Sequence, residues 1–432
     1  MAQAAWKALH SLNPVPDNHA LKGFPLQRHS MPRRIWRGLP WGGLGWGSTK
    51  DLVLSELRLW AAADWRRKLS PLLRMLLWLT DRFVWPLAAL SRTLAFAGNQ
   101  GLKPAETLRL YGDCLMSGGQ PMEAHVWRGL YGSRHPLPAR SAALLLTRLG
   151  DPAGHALLAD KLATAEQLAM AGIKFPVLHS LYRRGATLAP ALPFAGNAGL
   201  FLKPRHGQGG RNAFALTQQG ETWHLDGRPI TATALCERLQ RLSRQDDLLL
   251  QEKLIADPDL AELVADDRAP VLRLATARLP GEAPFLQSAL LTLAVPGRNP
   301  RHFLDGALHA PIDMADGRLA AGLSLARPGD RLAQLGWNGA ILAGRPVPWF
   351  DEASAMALRA MREIPALPLV HWDIIPTGTG PVMLEGNSAG NWILANLAGA
   401  YGLDTCPLPP LLSRWMSVSF SPEADPGDSP FR

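Results

Sequence analysis

The 432-residue chain predicts an α+β architecture behind a helical, tryptophan- and arginine-rich N-terminal region. Three observations carry that prediction: an apolar content sufficient for several cores, a change of texture near residue 160, and a basic charge confined to the front. Hydrophobic residues make up 47% and charged residues 19%, far from the composition of chains that stay disordered. The length exceeds what one core usually supports, so two or three packed units are expected.

The net charge of +9 is unevenly spread. Residues 1–150 hold 20 Lys and Arg against 8 Asp and Glu, 20 − 8 = +12, whereas the remainder holds 25 against 28, or −3. Nine of the 15 tryptophans also fall in that front, among them Trp36, Trp41, Trp46, Trp60, Trp65, Trp78 and Trp85. Indoles beside cations suit an anionic headgroup layer, so peripheral contact with an anionic membrane is expected and no specific nucleic acid is. The alternative is that the indoles form the core of a helical domain.

Residues 1–50, rich in Pro, Gly and Trp, read as an irregular arm, and residues 51–155 as a helical region. Breaks are expected at Ser70-Pro71, Trp85-Pro86, 98–101, Gly118-Gly119 and 134–138. Within 69–98 the positions Leu72, Met75, Leu76, Leu79 and Phe83 recur at helical spacing. Arg74, Asp81, Arg82, Pro86 and Arg92 interrupt the stretch, so an amphipathic helix is predicted and not a spanning one. Three distant cysteines, Cys114, Cys236 and Cys406, suggest neither a disulfide framework nor a zinc site. Together with a first stretch too broken for a secretory signal, they point to a cytoplasmic protein, peripheral on the inner membrane if the front binds lipid.

Residues 156–405 alternate β-prone runs with turns. Strands are predicted over 199–204, 213–217, 248–254, 271–279 and 285–295, and helices over 231–243 and 352–363. Residues 406–432 read as a C-terminal tail, frayed from Ser421 onward.

Two motifs carry chemistry. In the first, a short apolar strand delivers Lys203 and then the turn Gly207-Gln-Gly-Gly210. Amides of Gly207, Gly209 and Gly210 can face phosphate oxygens while Lys203 adds a mobile charge, although an ordinary hairpin shows the same pattern. In the second, residues 371–387 read as strand, Gly-rich turn, strand. That hairpin sets Asp373 opposite Glu385, and Asn387, two residues on, shares the face of Glu385. Three converging oxygens of this kind suit Mg2+, which completes its shell with phosphate oxygens.

On these residues the chain resembles ATP-grasp proteins, in particular the sugar-transfer-associated ATP-grasp family, from about Asp160 to Leu403. The order of motifs is that of the family: Lys161, Lys203-Pro204 with Gly207–Gly210, Gln251-Glu252-Lys253-Leu254, Arg273, then Asp373 with Glu385-Gly-Asn387. The resemblance implies an ATP-grasp fold over 156–405, two α+β subdomains clasping ATP. It further implies that Lys161 and Lys203 hold phosphates, that the backbone of Glu252, Lys253 and Leu254 meets adenine, and that Asp259 takes the ribose hydroxyls. Arg273 would be the catalytic residue, stabilising charge on the transferring phosphoryl group. For Lys161 and Asp259 a surface ion pair is the other reading.

Three features depart from the superfamily pattern: His371 where amino-acid ligases often have Arg, an apolar Ala269-Pro-Val-Leu before Arg273, and the tryptophan-rich front. The implied activity is an ATP- and Mg2+-dependent carboxylate–amine ligase, on a cell-envelope polysaccharide or its precursor. An ATP-grasp phosphotransferase acting on a hydroxyl, or a basic membrane- or nucleic-acid-binding protein with an inactive ATP-grasp domain, are the alternatives.

Overall fold

A computed structural model describes residues 70–72, 75, 79–131, 146–183, 199–207, 212–220, 222–298, 306–388 and 408–419. The arm expected over 1–50, the break at 134–138 and the tail from Ser421 lie outside the described residues.

The front is helical, as its periodicity predicts. A π-helical turn, Thr80–Val84, runs into α1, Trp85–Gln100. The expected break at Trp85-Pro86 appears as a change of helix type, with the π-helical turn ending at Val84 and Pro86 in the first turn of α1, where a missing amide costs least. Gly101, at φ 65°, ends α1 in the left-handed conformation. Then α2 (Pro104–Ser117) starts on a capping box in which the Lys103 amide donates to Glu106 Oε2 at 2.9 Å. With α3 (Pro121–Tyr131) it closes a small core of Trp85, Ala89, Leu110, Cys114 and Ala124. Burial pushes the Cys114 thiol up to about 12, so it behaves as an apolar packing group.

Two short helices, α4 (Pro152–Ala159) and α5 (Lys161–Ala169), lead into the first sheet. It comprises β1 (Leu178–Tyr182), β2 (Leu200–Pro204), β3 (Phe214–Gln219), β4 (Thr222–Leu225), β5 (Arg228–Ile230) and β6 (Leu248–Glu252), ordered β1-β6-β2-β3-β4-β5 and antiparallel throughout. Between β5 and β6 runs α6, Ala232–Ser243, capped by Thr231. Its Leu235 and Leu239 pack on Leu200, Leu202, Leu248 and Leu250, so alternate residues of β2 and β6 are spent on this small core.

The second sheet contains β7 (Val271–Ala277), β8 (Phe285–Ala294), β9 (Ala307–Pro311), β10 (Gly322–Ser324), β11 (Arg327–Leu332), β12 (Leu369–Thr377) and β13 (Gly380–Asn387), in the order β11-β10-β9-β8-β7-β12-β13. Helix α7, Phe350–Glu363, covers one face with Ala353, Met356, Ala357, Ala360 and Met361 against Leu272, Leu274, Trp372 and Ile374. All nine residues of β12 are buried, because β7 and β13 flank it and both faces are covered. The helical front docks at the far edge of this sheet, where His125 Nε2 lies 3.0 Å from the Ala326 carbonyl oxygen next to β11.

Part of the expected tail is ordered. Residues Leu408–Ser419 form α8, and Trp415 Nε1 donates to the Arg278 carbonyl oxygen at 2.7 Å. Its buried Leu411, Leu412, Trp415 and Met416 supply the apolar face that a tail would lack.

Candidate active site

The site forms where the end of the first sheet meets the face of the second that points away from α7. Along β12, Trp372 and Ile374 enter the core under α7, so His371, Asp373 and Ile375 must project the other way. Register then assembles a row. Asp373 is paired with Arg273 on β7 and with Glu385 on β13, and one step along the sheet His371 is paired with Asn387. Gly386 between the two β13 side chains is required by packing, since a Cβ there would stand 2.5 Å from Trp372 Cζ3.

The row is internally bonded. Arg273 donates through Nε to Asp373 Oδ1 at 2.6 Å and through Nη2 to Oδ2 at 2.7 Å, a bidentate charged pair with side chains 24% and 11% exposed. Burial disfavours the guanidinium charge, but Asp373 outweighs it and holds the Arg273 pKa above its ordinary value. Asn387 Nδ2 donates to Glu385 Oε1 at 3.2 Å.

Two lysines from the other wall face the row. Lys203, at the end of β2, is 7% exposed and reaches across to donate to the Leu384 carbonyl oxygen at 3.1 Å. Burial lowers its pKa to about 8, opposed by Glu385 and Asp373 and reinforced by Lys161. Lys161, the first residue of α5, donates to the Gly207 carbonyl oxygen at 2.7 Å and lies 3.8 Å from Glu385 Oε2. Its position is fixed by a cluster that sequence reading missed. Asp160 caps α5 at Leu162 and Ala163, and Arg205 grips Asp160 at 2.8 and 2.6 Å and Asp247 at 3.1 Å. Those Arg205 bonds draw the Asp160 pKa below the usual carboxylate range, so the clamp is ionised at neutral pH. The cap signal of Asp160 is legible in sequence, whereas nothing near Arg205 announces its partners.

Between the walls lies a cavity of about 350 Å³, within the small-molecule range. Its apolar part is made by Phe201, Ala215, Val271, Ile375 and Leu384, and its polar rim by Lys161, Lys203, Gly207, Asp373 and Glu385. The strip Gln251, Glu252, Lys253 and Leu254 lines one side. The Glu252 amide is bonded to the Val177 carbonyl oxygen and the Lys253 amide to that of Gly199.

Thus the structure brings Lys161, Lys203, Gly207, Glu252, Lys253, Leu254, Asp373 and Glu385 to one cavity, with Arg273 and Asn387 bonded to its carboxylates. Gly209 and Gly210 lie outside the described residues. Asp259 is not brought there: it is exposed in the 3-10 turn Pro258–Leu263, away from the cavity lining, and its carbonyl oxygen accepts from Arg345. Asp257 caps that turn, its Oδ1 accepting from the Asp259 amide at 3.0 Å. The acid lining this part of the cavity is Asp267, ion-paired with Lys253.

Two histidines complete the face. His371 and His309 are each 2% exposed, and burial followed by the charge of Arg273 lowers them to about 4 and about 3, so both are neutral at pH 7. His309 Nδ1 meets Thr292 Oγ1 at 3.2 Å, while among the described residues neither ring nitrogen of His371 has a hydrogen-bond partner.

The donor set suits a divalent cation held jointly with phosphates: two carboxylates and an amide oxygen on one face, with cations opposite. Bidentate contact with Arg273 does not exhaust Asp373, because a carboxylate offers about four lone-pair positions. Among the described residues no group of three or more His, Cys, Asp or Glu is placed so that it could hold a metal ion by itself.

No curated protein matches the sequence. Among solved structures, a Bacillus anthracis D-alanine–D-alanine ligase complexed with ATP is 12% identical, with a TM-score of 0.37 over 63% of this chain and 69% of that one. VanG D-Ala:D-Ser ligase from Enterococcus faecalis is 12% identical at a TM-score of 0.37, over 62% of this chain and 64% of that one. An L-amino acid ligase from Bacillus licheniformis is 12% identical at 0.31, over 57% and 49%. The profile of the sugar-transfer associated ATP-grasp family matches residues 141–406. That match spans more than half of the chain and contains every residue of the cavity and its carboxylate row, and the chain belongs to the sugar-transfer associated ATP-grasp family.

Proposed function

We propose that this protein is an ATP- and Mg2+-dependent carboxylate–amine ligase that works through an acyl phosphate. The observation that carries the reading is the row Arg273, Asp373, Glu385 across three adjacent strands, facing Lys203 of the opposite sheet and Lys161 at the start of α5. An anion-binding wall and a cation-binding wall on either side of one cavity are what a nucleotide triphosphate with its metal needs.

In this reading the apolar part of the cavity holds the adenine, and the Leu254 amide donates to the ring. Lys161 and Lys203 hold phosphate oxygens, with Gly207 letting the backbone approach them; its φ of 97° belongs to glycine. Asp373, Glu385 and the Asn387 side-chain oxygen hold Mg2+, which supplies charge neutralisation on the phosphates. A substrate carboxylate oxygen forms a bond to the γ-phosphorus as the bond to the β-phosphate oxygen breaks and ADP leaves. The amine then forms a bond to the acyl carbon, phosphate departs, and the amine nitrogen gives up a proton. Arg273 neutralises charge that grows in the first step, and Asp373 keeps the guanidinium ionised and aimed.

The sugar-transfer association in the family description favours a saccharide-linked substrate, and the reading takes this to be a cell-envelope polysaccharide or its precursor, met on the cytoplasmic side. The domain reading that accompanies it is a helical region over 51–155 before an ATP-grasp domain over 156–405. The test is ATP turnover by purified protein against a panel of amino acids and uronic-acid glycans, with mass spectrometry of products. A new amide with equimolar ADP and phosphate supports ligation. A phosphorylated hydroxyl without free phosphate replaces it with phosphotransfer.

A further inference from the structure

Helix α1 is apolar on two sides. One side, Trp85, Ala89, Thr93 and Ala97, is buried, and with Trp127 of α3 it accounts for two of the front tryptophans as core. A second face is exposed: Phe83 is 61%, Leu87 69% and Leu94 55% open to solvent, with Leu90 between them. The face extends backward through exposed Leu79, Met75 and Leu72, so the positions 72, 75, 79, 83, 87, 90 and 94 advance in steps of three and four. Over the continuously described residues 79–94, at about 1.5 Å per residue, this is a ridge on the order of 20 Å long, more than scattered surface leucines make. Leu108 of the neighbouring α2, 70% exposed, adds to the apolar surface of the same helical unit.

The charge beside these residues is positive. Exposed Arg82 adjoins Phe83 in sequence, and exposed Arg109 adjoins Leu108, with Lys103 at the start of the same helix. Of the nearby acids, Asp81 adjoins Arg82 in sequence, Glu106 is engaged in the capping box and Asp113 is bonded to Arg128, so residues 79–109 set Arg82, Arg92, Lys103 and Arg109 against Asp81 and Glu106. The whole front carries the excess of 20 basic over 8 acidic residues. No helix among the described residues is long and apolar enough to cross a membrane. A ridge of leucines and phenylalanine with flanking cations and no spanning helix fits the boundary between headgroups and acyl chains.

We propose that the exposed face of α1 is a docking surface for an anionic lipid bilayer, with the aliphatic ridge in the interface and the flanking cations on lipid phosphates. The helical unit meets the second sheet at β11, the edge opposite β13, so docking through this face leaves the carboxylate row at the other end of the sheet.

The test uses the full chain with vesicles of phosphatidylcholine alone and of phosphatidylcholine mixed with phosphatidylglycerol. Co-sedimentation with the mixed vesicles is expected at about 0.1 M salt and should fall severalfold at about 1 M, where the Debye length shrinks from about 10 Å to about 3 Å. Leu87→Glu with Leu94→Glu should weaken vesicle affinity by about tenfold or more, with the circular dichroism spectrum and melting point of the vesicle-free protein unchanged. Because both side chains are exposed, these variants keep the core intact. Failure to sediment with mixed vesicles at low salt overturns the proposal, as does undiminished binding by the double variant. A dimer in light scattering that the same variant dissolves also overturns it, assigning the face to a second copy of the chain.

Discussion

The two walls of the cavity handle buried charge in opposite ways. On the second sheet Arg273 and Asp373 satisfy each other through two short hydrogen bonds, and the pairing holds the guanidinium charged despite its burial. On the first, Lys203 is also buried but among the described residues its hydrogen bond goes to a backbone carbonyl, and its pKa falls to about 8. A cation already matched by a carboxylate holds its place and shape, whereas a desolvated cation without one gains most when an anion arrives. The lysine wall is therefore the part of the site that waits for a ligand, and the arginine row is the part that is preorganised.

The most severe test of this contrast is at Glu385, the acid of the row nearest Lys161. Glu385→Ala should lower ATP turnover by about a hundredfold or more, since it removes metal-holding oxygen and the counter-charge that the lysines face. Turnover at the wild-type rate would remove Glu385 from the metal site. Next comes Arg273→Ala, which should lower kcat by about a hundredfold while leaving ATP affinity within severalfold, the pattern of an interaction made as charge develops. Loss of ATP binding with kcat preserved would make Arg273 a ground-state anchor instead.

On stability the preorganised pair should dominate. Asp373→Ala leaves a largely buried guanidinium without its carboxylate and should cost about 3 kcal/mol in denaturant melts. The double variant with Arg273→Met should recover part of that loss, and a strictly additive double variant would mean that the pair is not coupled.

The smallest effect belongs to pH. The folded-state pKa of Lys203, about 8, lies below its ordinary 10.5, so between these values the folded protein holds fewer protons than the unfolded one. Its contribution to stability therefore rises as pH increases from 8 to 10.5, when the cost of burying the charge is relieved. ATP affinity should move the other way, weakening above pH 8 as the lysine loses its charge. Comparing the wild type with Lys203→Met isolates both trends, and parallel profiles for the two proteins would show that another group is responsible.

Much of the scaffold of this site was legible. The runs predicted at 199–204, 213–217, 248–254, 271–279 and 285–295 became β2, β3, β6, β7 and β8, because their alternate apolar residues are spent on one core face. Thr231 marked the start of α6 as its cap. Among the strands that escaped, Arg228–Ile230 is short, the polar Arg327–Leu332 lies at an edge where no buried face imposes a period, and Ala307–Pro311 is buried along its whole length in mid-sheet, so no alternation marks it. Asp259 has no motif beyond its position in the order of the others, and it lies exposed in a 3-10 turn outside the cavity lining. Asp267 lines the cavity from a turn with φ of 59°, which has no recognisable spacing.

The sequence by itself determined which residues share a strand face, because side chains alternate with period two: Glu385 with Asn387, and His371 with Asp373, follow from counting. It also determined that a lysine precedes a glycine-bearing turn, and that the front of the chain is basic. Only the tertiary structure decided which faces meet. Arg273 and Asp373 are 100 residues apart and become hydrogen-bond partners through the adjacency of β7 and β12. Lys203 and Leu384 are 181 apart and meet because two sheets converge. Burial, and with it the pKa of each cation, is set by what is packed around a group in space, and a linear pattern carries no term for neighbours it does not adjoin.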